Sequence, residues 1–266
     1  MNKAKISVAI ITYNEEKNIR DCLESVKWAD EIVVVDDSSQ DKTRQIAKEF
    51  GARVFKTAKK TFFDENKNVA IKACLNEWIF LLDADERVTP ELAEEIRKTV
   101  NHWVPGQPVA YWLPRKNYFL GRFFEKGGQY PDPVIRLFKK GKALFPQDSV
   151  HKQLEVDGQT GWLKNDLIHW ATPEFSRYLM RERRYSTLEA LQMMEDKISL
   201  NPLNWLKYLL FRPKRTFFLL YIRHKGFMDG WQGFVFAFFS GLHHDWAFLK
   251  YLRMRTKKVD VIKEWK

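Results

Sequence analysis

Residues 78–86 read Trp-Ile-Phe-Leu-Leu-Asp-Ala-Asp-Glu, a short apolar run that leads directly into two aspartates one residue apart. The apolar part predicts a buried β-strand, and the aspartates follow where that strand ends. In an extended segment, residues i and i+2 point to the same side, so the carboxylates of Asp83 and Asp85 can face one cation. Mg²⁺ or Mn²⁺ is typically held by one or two carboxylates together with substrate phosphates. The motif therefore predicts a cation-assisted phosphate site, and its alternative is a solvated acidic turn.

The amino-terminal half alternates apolar, β-rich runs with segments of helical spacing; the runs are 6–11, 31–35, 53–55 and 78–82. Asp41 is expected to cap the second helix and Gly51 to end it, and Thr89 is expected to cap the fourth. Strands that are apolar throughout are typical of a parallel sheet covered by helices on both faces. The sequence therefore predicts an α/β fold with a largely parallel sheet.

Three predicted strand ends carry polar clusters, at 12–15, 36–39 and 83–86. Ligands of such sheets bind outside the carboxyl ends of the strands, so we expect the three clusters to form one site. The first strand is not followed by Gly-x-Gly-x-x-Gly, which argues against a dinucleotide dehydrogenase. The absence of a Gly-x-x-x-x-Gly-Lys-Ser/Thr loop argues against a P-loop NTPase.

Charge and composition limit the class of protein. The 266 residues are 45% hydrophobic, enough for one large domain or a domain with an extension, and the net charge of +11 predicts an anionic partner. The two cysteines, Cys22 and Cys74, occupy core-like positions, which favours a reducing cytoplasm. The amino terminus leads straight into a strand, so no signal peptide is expected. Apolar runs stay below the roughly 20 residues that span a bilayer.

Several motifs resemble family 2 glycosyltransferases in order and spacing; they lie at 6–15, 33–43, 66–68 and 81–86. The resemblance covers roughly residues 6–170. It implies a GT-A fold, which is Rossmann-like with a mostly parallel mixed sheet and helices on both faces, and it implies inverting transfer from a nucleotide-diphosphate sugar. We expect a catalytic domain at 1–172 and a helical extension at 173–266.

A closer likeness is to lipopolysaccharide-core β-glucosyltransferases that act on heptose, through residues 118–121, 130–132, 136–138 and 150–151. It implies transfer of glucose from a UDP-sugar donor, UDP-glucose, to a lipopolysaccharide-core or related lipid-linked acceptor. The alternatives are a polyprenyl-linked or peptide acceptor, or a membrane-surface binding module without catalysis. Two positions depart from the pattern: Ser38 stands where the family has glycine, and Lys152 where the subgroup has glutamate.

The resemblance also assigns site residues. Nucleotide-sugar binding is expected from the strand ends and one basic residue, namely Thr12, Tyr13, Asn14, Glu15, Asp36, Asp37, Lys67, Asp83 and Ala84. The alternatives are an Asx turn at the aspartate pair and a solvated helix lysine. Asp85 is expected to coordinate Mn²⁺ or Mg²⁺, Asp83 to help hold it, and His151 to be a second metal or diphosphate ligand. Arg115 and Arg136 are interpreted either as phosphate-binding or as surface residues.

The general base must be a carboxylate that follows the metal motif. Asp132 is favoured, because the segment 130–133 reads Tyr-Pro-Asp-Pro, a rigid loop that resembles a family signature. Asp148 and Glu155 are the other candidates, and Asp132 can alternatively be only a turn residue. A metal site in the run 243–245, His-His-Asp, is not expected, because adjacent residues on a helix do not face one another.

The carboxyl-terminal third interleaves aromatic residues with Lys and Arg, mainly over 203–255. This pattern is typical of helices that lie in a membrane interface, so we expect a protein peripheral to the inner face of the bacterial cytoplasmic membrane. The alternative is a helical subdomain that packs on the catalytic core or on a second subunit of a homo-oligomer. Nucleic-acid binding is not expected, since zinc spacing, an RNP-like segment and a helix-turn-helix signature are absent.

Overall fold

The computed structural model describes residues 3–58, 63–146 and 153–257. The apolar runs of the amino-terminal half form four parallel strands: β1 (Ile6–Thr12), β2 (Glu31–Asp36), β3 (Arg53–Lys56) and β4 (Trp78–Asp83). They lie in the order β3-β2-β1-β4. Thr12 is in register with Asp36, and Ile11 with Asp83. The carboxyl ends of β1, β2 and β4 are therefore neighbours at one sheet edge, as the sequence predicts.

The sheet continues with strands that are mostly antiparallel, so it is mixed. They are β5 (Glu86–Val88), β6 (Ala110–Phe119), β7 (Arg122–Phe123), β8 (Asp132–Lys139), β11 (Thr160–Trp162) and β12 (Leu167–Thr172). β8 pairs antiparallel with both β4 and β6, and β12 pairs antiparallel with β5. A separate two-stranded sheet contains β9 (Ala143–Leu144) and β10 (Glu155–Val156).

Helices cover both faces of the parallel strands: α1 (Glu16–Glu24), α2 (Thr43–Glu49), α3 (Phe63–Ala73) and α4 (Pro90–Asn101). Alternate strand residues point to opposite faces. Val8 and Ile10 therefore pack in one core with residues of α1 and α4, whereas Ala9 packs in another with Ala70 and Cys74. The two-faced α/β arrangement is thus built from alternating apolar side chains.

The expected helix boundaries are mostly confirmed. Thr89 caps α4 by accepting the Leu92 backbone N–H at 3.2 Å, and Gly51 follows α2 with φ +74°. The predicted cap at Asp41 is wrong by one residue: α2 begins at Thr43, so Lys42 occupies the cap position, although Asp41 accepts the Thr43 N–H at 3.0 Å.

Two compact units divide the chain, residues 1–116 with 132–170, and residues 117–131 with 171–266. The boundary expected at residue 172, between a catalytic domain and a helical extension, stays a prediction. The second unit contains α5 (Phe175–Glu195), α6 (Pro202–Leu206), α7 (Arg212–Phe218) and α8 (Gly230–Lys257), with π-helical turns at 207–211 and 219–223 and a 3₁₀ turn at 226–229. Within the described ranges, no helix has the length and apolar character needed to cross a membrane.

Close backbone approach shapes the corner between the 3₁₀ turn and α8. A Cβ placed on Gly233 would lie 1.9 Å from the Gly226 carbonyl oxygen. The buried Asp229 carboxylate accepts the backbone N–H groups of Glu125 and Lys126 at 3.1 and 2.9 Å. The glycine and the carboxylate therefore hold this corner of the second unit together.

Candidate active site

The loops after β1 and β2 are tied to each other by side-chain hydrogen bonds. The Asn14 N–H donates to Ser39 Oγ at 2.9 Å, and Asn14 Oδ1 accepts the Gln40 N–H at 2.8 Å. The Glu15 N–H donates to Thr43 Oγ1 at 3.0 Å. Asn14 adopts φ +52°, a left-handed conformation that asparagine tolerates better than most residues. These bonds hold the first two polar clusters as one rim.

Both aspartates at the end of β2 are buried and partly bonded. Asp36 Oδ2 accepts the N–H of Ser39, three residues on, at 3.0 Å. Asp37 Oδ1 accepts from Asn66 Nδ2 at 2.9 Å. Asp36 Oδ1 and Thr12 Oγ1 are buried and have no hydrogen-bond partner among the described residues. Since buried polar atoms are normally bonded, these two oxygens offer positions for a ligand's hydrogen-bond donors.

Ser38, which stands where the family pattern has glycine, adopts a left-handed conformation. Its φ of +63° is the left-handed conformation that favours glycine. The Ser38 hydroxyl donates to the Thr57 carbonyl at 2.6 Å. A left-handed non-glycine residue costs on the order of 1 kcal/mol, and the net value of a hydrogen bond is similar, so the bond offsets the strain.

The aspartate motif lies in the tight turn between β4 and β5. Arg87 donates to the carbonyl oxygens of Ala84 and Glu86 at 3.1 and 2.9 Å, and the Asp83 N–H donates to Glu86 Oε2 at 2.9 Å. Ala84 is buried, so its side chain cannot grow without displacing the turn. The carboxylates of Asp83 and Asp85 are therefore presented by a well-bonded turn.

A buried arginine neutralises two carboxylates at this turn. Arg136 on β8 donates through Nη2 to Asp83 Oδ2 at 2.5 Å and to Glu86 Oε1 at 2.6 Å. Only 5% of Arg136 is exposed, so its interpretation as a surface residue is wrong. Burial raises the pKa of Asp83, but the Arg136 charge outweighs it, and the pKa lies well below its usual range. Asp83 Oδ1 is buried without a partner among the described residues.

Arg115 links this network to the predicted base. Its Nη1 lies 3.2 Å from Glu86 Oε1, and its Nη2 lies 2.6 Å from Asp132 Oδ2. Burial lowers the pKa of Arg115, but Glu86 and Asp132 more than compensate and hold that pKa above its ordinary value. Asp132 is thus an ion-paired carboxylate near the metal motif, and its role as base stays a prediction. Glu155 lies on the separate sheet, and Asp148 lies outside the described residues.

His169 is the site residue that the sequence did not indicate. It lies on β12, with Nε2 3.6 Å from Asp85 Oδ1, and the neighbouring Trp170 N–H donates to the Asp85 carbonyl at 2.9 Å. Antiparallel pairing sets His169 opposite Glu86. His169 and Asp85 are 84 positions apart, and the local sequence contains no signal for their contact. The predicted ligand His151 and the neighbouring Lys152 lie outside the described residues.

The donor atoms fit a hard divalent cation. Carboxylate oxygen suits Mg²⁺ and Mn²⁺, and imidazole nitrogen is a common ligand of first-row metals. In the described part of the chain, no group of three or more His, Cys, Asp or Glu residues could hold a metal by itself. Such a cation needs further ligands from substrate phosphates, which is the usual arrangement for Mg²⁺.

Lys67 lies on α3. Its Nζ lies 5.0 Å from the centre of the Phe145 ring, and its charge contributes to lowering the pKa of Asp83. The interpretation of Lys67 as a lysine that interacts only with solvent is therefore wrong. Its contact with a ligand stays a prediction.

The histidine pair of the second unit takes part in ion pairs. His243 lies between two carboxylates, 2.9 Å from Glu182 and 2.9 Å from Glu189. Burial lowers the pKa of His243, but the hydrogen bonds that it donates to both glutamates outweigh this effect and raise that pKa to about 9. The same histidines hold the pKa of Glu189 down at about 2, against the effect of its burial. This cluster joins α5 to α8.

Known proteins resemble the chain over most of its length. The family model described as Glycosyl transferase family 2 matches residues 7–152, more than half of the chain. The lipopolysaccharide core biosynthesis glycosyltransferase LpsC of Rhizobium meliloti (strain 1021) is 28% identical over 251 residues, which cover 90% of this chain and 91% of that protein. An uncharacterized glycosyltransferase of Rickettsia typhi is 28% identical over 262 residues, covering 94% and 85%. A crystal structure of S. aureus TarS 1-349 aligns with a TM-score of 0.47 and 16% identity, covering 98% and 92%.

The sequence motifs, the mixed sheet with helices on both faces and the family match agree with one another. The predicted GT-A fold with a carboxyl-terminal helical region is confirmed. The chain belongs to glycosyl transferase family 2 and is a glycosyltransferase.

Proposed function

We propose that this glycosyltransferase moves a sugar, with glucose from UDP-glucose as the first candidate, to a lipopolysaccharide-core or related glycolipid acceptor, with inversion. One observation carries the proposal: the adjacent ends of β1, β2 and β4 present buried oxygens without partners among the described residues, at Thr12, Asp36 and Asp83. These oxygens are suited to accept hydrogen bonds from a ligand, as a nucleoside requires.

The donor nucleoside lies against the first two strand ends. Asp36 Oδ1 accepts a hydrogen bond from the base or ribose, Asp37 is oriented for the same task by Asn66, and Thr12 lies between them and Asp83. Lys67 meets the diphosphate, because its positive charge lies on the Asp83 side of the site. Sugar selectivity depends on the shape of the pocket, so the choice of glucose as the donor sugar is based on the likeness to the glucosyltransferase subgroup.

Asp85 and His169 hold the divalent cation, Mn²⁺ or Mg²⁺, and Asp83 supports the site from its position beside Arg136. The bound cation supplies charge neutralisation for the departing nucleoside diphosphate. His151, on the segment outside the described residues, remains a further candidate ligand. The tight turn and the Arg136 bridge restrict the motion of the two aspartates, which keeps the donor atoms in place.

Asp132 receives the proton of the acceptor hydroxyl. Arg115 holds it through Oδ2, which fixes the direction of the carboxylate while the acceptor approaches. General-base catalysis by a positioned carboxylate contributes about 10²- to 10⁴-fold to rate. Asp132→Asn keeps the size and removes the base, so it should lower kcat within that range and leave UDP binding unchanged.

The acceptor class is supported by the likeness to LpsC, which extends over 90% of this chain. A glycolipid acceptor implies an enzyme that works in the cytoplasm at the inner face of the cytoplasmic membrane. Labelled UDP-glucose offered with truncated-core lipopolysaccharide, with a polyprenyl-linked sugar and with a peptide tests this. Label in the lipopolysaccharide alone supports the proposal, and label in either other acceptor overturns the acceptor assignment.

Calorimetric titration of UDP, with Mn²⁺ and then with EDTA, tests the donor and metal site. We expect binding that chelation weakens at least about tenfold, because the diphosphate and the cation share ligands. Asp85→Asn should behave as wild type does in EDTA. The matched control is Asp157→Asn, an exposed aspartate that pairs with Lys142, which should bind as wild type does. An affinity for UDP that is the same with Mn²⁺ and with EDTA would refute the metal site.

A further inference from the structure

Six aromatic rings form one continuous surface in the second unit, which we call the aromatic face: Phe217, Phe218, Tyr221, Phe227, Phe234 and Phe238. The rings are linked by centroid distances of 5.7 Å for Phe217–Phe218, 5.8 Å for Phe217–Phe234 and 5.7 Å for Tyr221–Phe234. The chain of contacts ends at Phe227, 6.2 Å from Tyr221, and at Phe238, 5.9 Å from Phe234.

The aromatic face is open to solvent. Phe218 is 57% exposed, Phe227 50%, Phe234 45% and Phe238 43%. Exposed apolar residues enlarge it at helical spacing, since Ile222 follows Phe218 by four residues and Trp231 precedes Phe234 by three. A continuous exposed apolar surface of this kind marks an interaction site rather than chance exposure of single side chains.

Positive charge surrounds the aromatic face. Lys214, Arg215, Arg223 and Lys225 are exposed on the same helical segment, and no ion pair holds any of them within the part of the chain that the structure describes. The segment 207–240 contains one acidic residue, Asp229, and this carboxylate is buried. The exposed charges within this segment are therefore all cationic.

This combination identifies the partner. A second copy of the chain would bring the same cations together across a two-fold interface, which opposes association. An anionic lipid surface instead offers phosphates to the cations and an interfacial layer in which aromatic rings are favoured. We propose that the aromatic face docks the enzyme on an anionic bilayer. The proposal extends the proposed function, because it supplies contact with the surface that contains a lipid-linked acceptor.

Co-sedimentation with phosphatidylglycerol–phosphatidylcholine vesicles and with pure phosphatidylcholine vesicles tests the charge requirement. Lys214→Gln with Arg223→Gln should weaken binding to the anionic vesicles about 30-fold, since one cation near an anionic surface is worth roughly fivefold. Lys72→Gln with Lys98→Gln, two exposed lysines of the first unit, is the matched control and should bind as wild type does. Equal binding of wild type to both kinds of vesicle would overturn the proposal.

Phe218→Ser with Phe227→Ser tests the aromatic requirement, with Leu75→Ser as control because Leu75 is an apolar residue of the first unit that is more exposed than either phenylalanine. The aromatic variant should lose vesicle binding by more than about tenfold, and the control should keep it. Sedimentation velocity without lipid tests self-association. If wild type is a dimer and the Phe218 and Phe227 changes make it a monomer, the lipid assignment would be overturned in favour of self-association.

UDP calorimetry separates this proposal from the proposed function. The aromatic variant should bind UDP with Mn²⁺ as wild type does, which also shows that its first unit is folded. If wild type binds vesicles but does not bind UDP, the donor site would be refuted and the docking surface supported. UDP binding without vesicle binding would overturn the docking surface alone.

Discussion

Replacing Arg136 by methionine should destabilise the protein more than any change of an exposed charge. Arg136 is buried between Asp83 and Glu86, with Nη2 at 2.5 Å and 2.6 Å from their oxygens. Methionine is close to arginine in length but carries no charge. The variant therefore retains two carboxylates in a buried site without their principal cation.

The expected loss of unfolding free energy is about 3–5 kcal/mol, the range for removing one partner of a buried ion pair. For a domain of this size class, 1 kcal/mol corresponds to about 2–4 °C in Tm, so Tm should fall by roughly 6–20 °C. Arg115 still contacts Glu86 at 3.2 Å, which argues for the lower part of the range.

The pH dependence follows from the direction of the Asp83 pKa. In wild type Arg136 depresses this pKa, so the stabilisation is present above the unfolded pKa near 4 and is lost only as pH falls through the folded value. Arg136→Met removes that cation, so the pKa of Asp83 should lie above its wild-type value. Asp83 then takes up a proton at a higher pH than in wild type, and the stability gap to wild type should narrow as pH falls.

Urea unfolding, followed by tryptophan fluorescence at several pH values, measures this loss. The control is Arg20→Met, which removes an exposed ion pair with Glu49 at 3.4 Å and should cost less than about 1 kcal/mol. A loss in Arg136→Met as small as that of the control, or a gap that widens as pH falls, would refute the buried-network reasoning.

Three other changes have defined outcomes. In wild type, the raised His243 pKa of about 9 contributes up to about 3 kcal/mol to the free energy of unfolding, which is fully present below pH 6.5 and lost as pH rises through 9. His243→Gln should remove this alkaline loss of stability, as measured by urea unfolding across that pH range. Gly233→Ala should lower the free energy of unfolding in urea by about 1–3 kcal/mol, because its Cβ meets the Gly226 carbonyl; an unchanged free energy of unfolding would contradict this. Ser38→Ala should cost about 1 kcal/mol more than Ser38→Gly in thermal unfolding, because both variants lose the bond to Thr57 but only glycine adopts the positive φ without strain; equal stability of the two variants would contradict this.

The parallel half of the sheet and the edge that carries the site could be predicted from local sequence. Alternating apolar residues mark strands and helical stripes, and the cap at Thr89 needs only residues three positions apart. The polar clusters after β1, β2 and β4 could be assigned to one edge because parallel strands direct their carboxyl ends the same way.

The antiparallel strands were not part of the sequence prediction. Many residues of these strands have intermediate burial, so the period-two pattern is weak there. The roles of Arg136 and His169 were missed for the same reason. Neither residue lies in a motif with the aspartates, and each meets them through pairing with a distant strand.

The sequence by itself determined the alternation of strands and helices, the family, and the three acidic clusters, because each depends on side chains close together along the chain. Only the tertiary structure decided which charges those carboxylates meet: Arg136 at Asp83, Arg115 at Asp132, and His169 at Asp85. The physical reason is that strand register, rather than local pattern, brings residues together across 17, 53 and 84 positions, and register is set by the packing of the whole sheet.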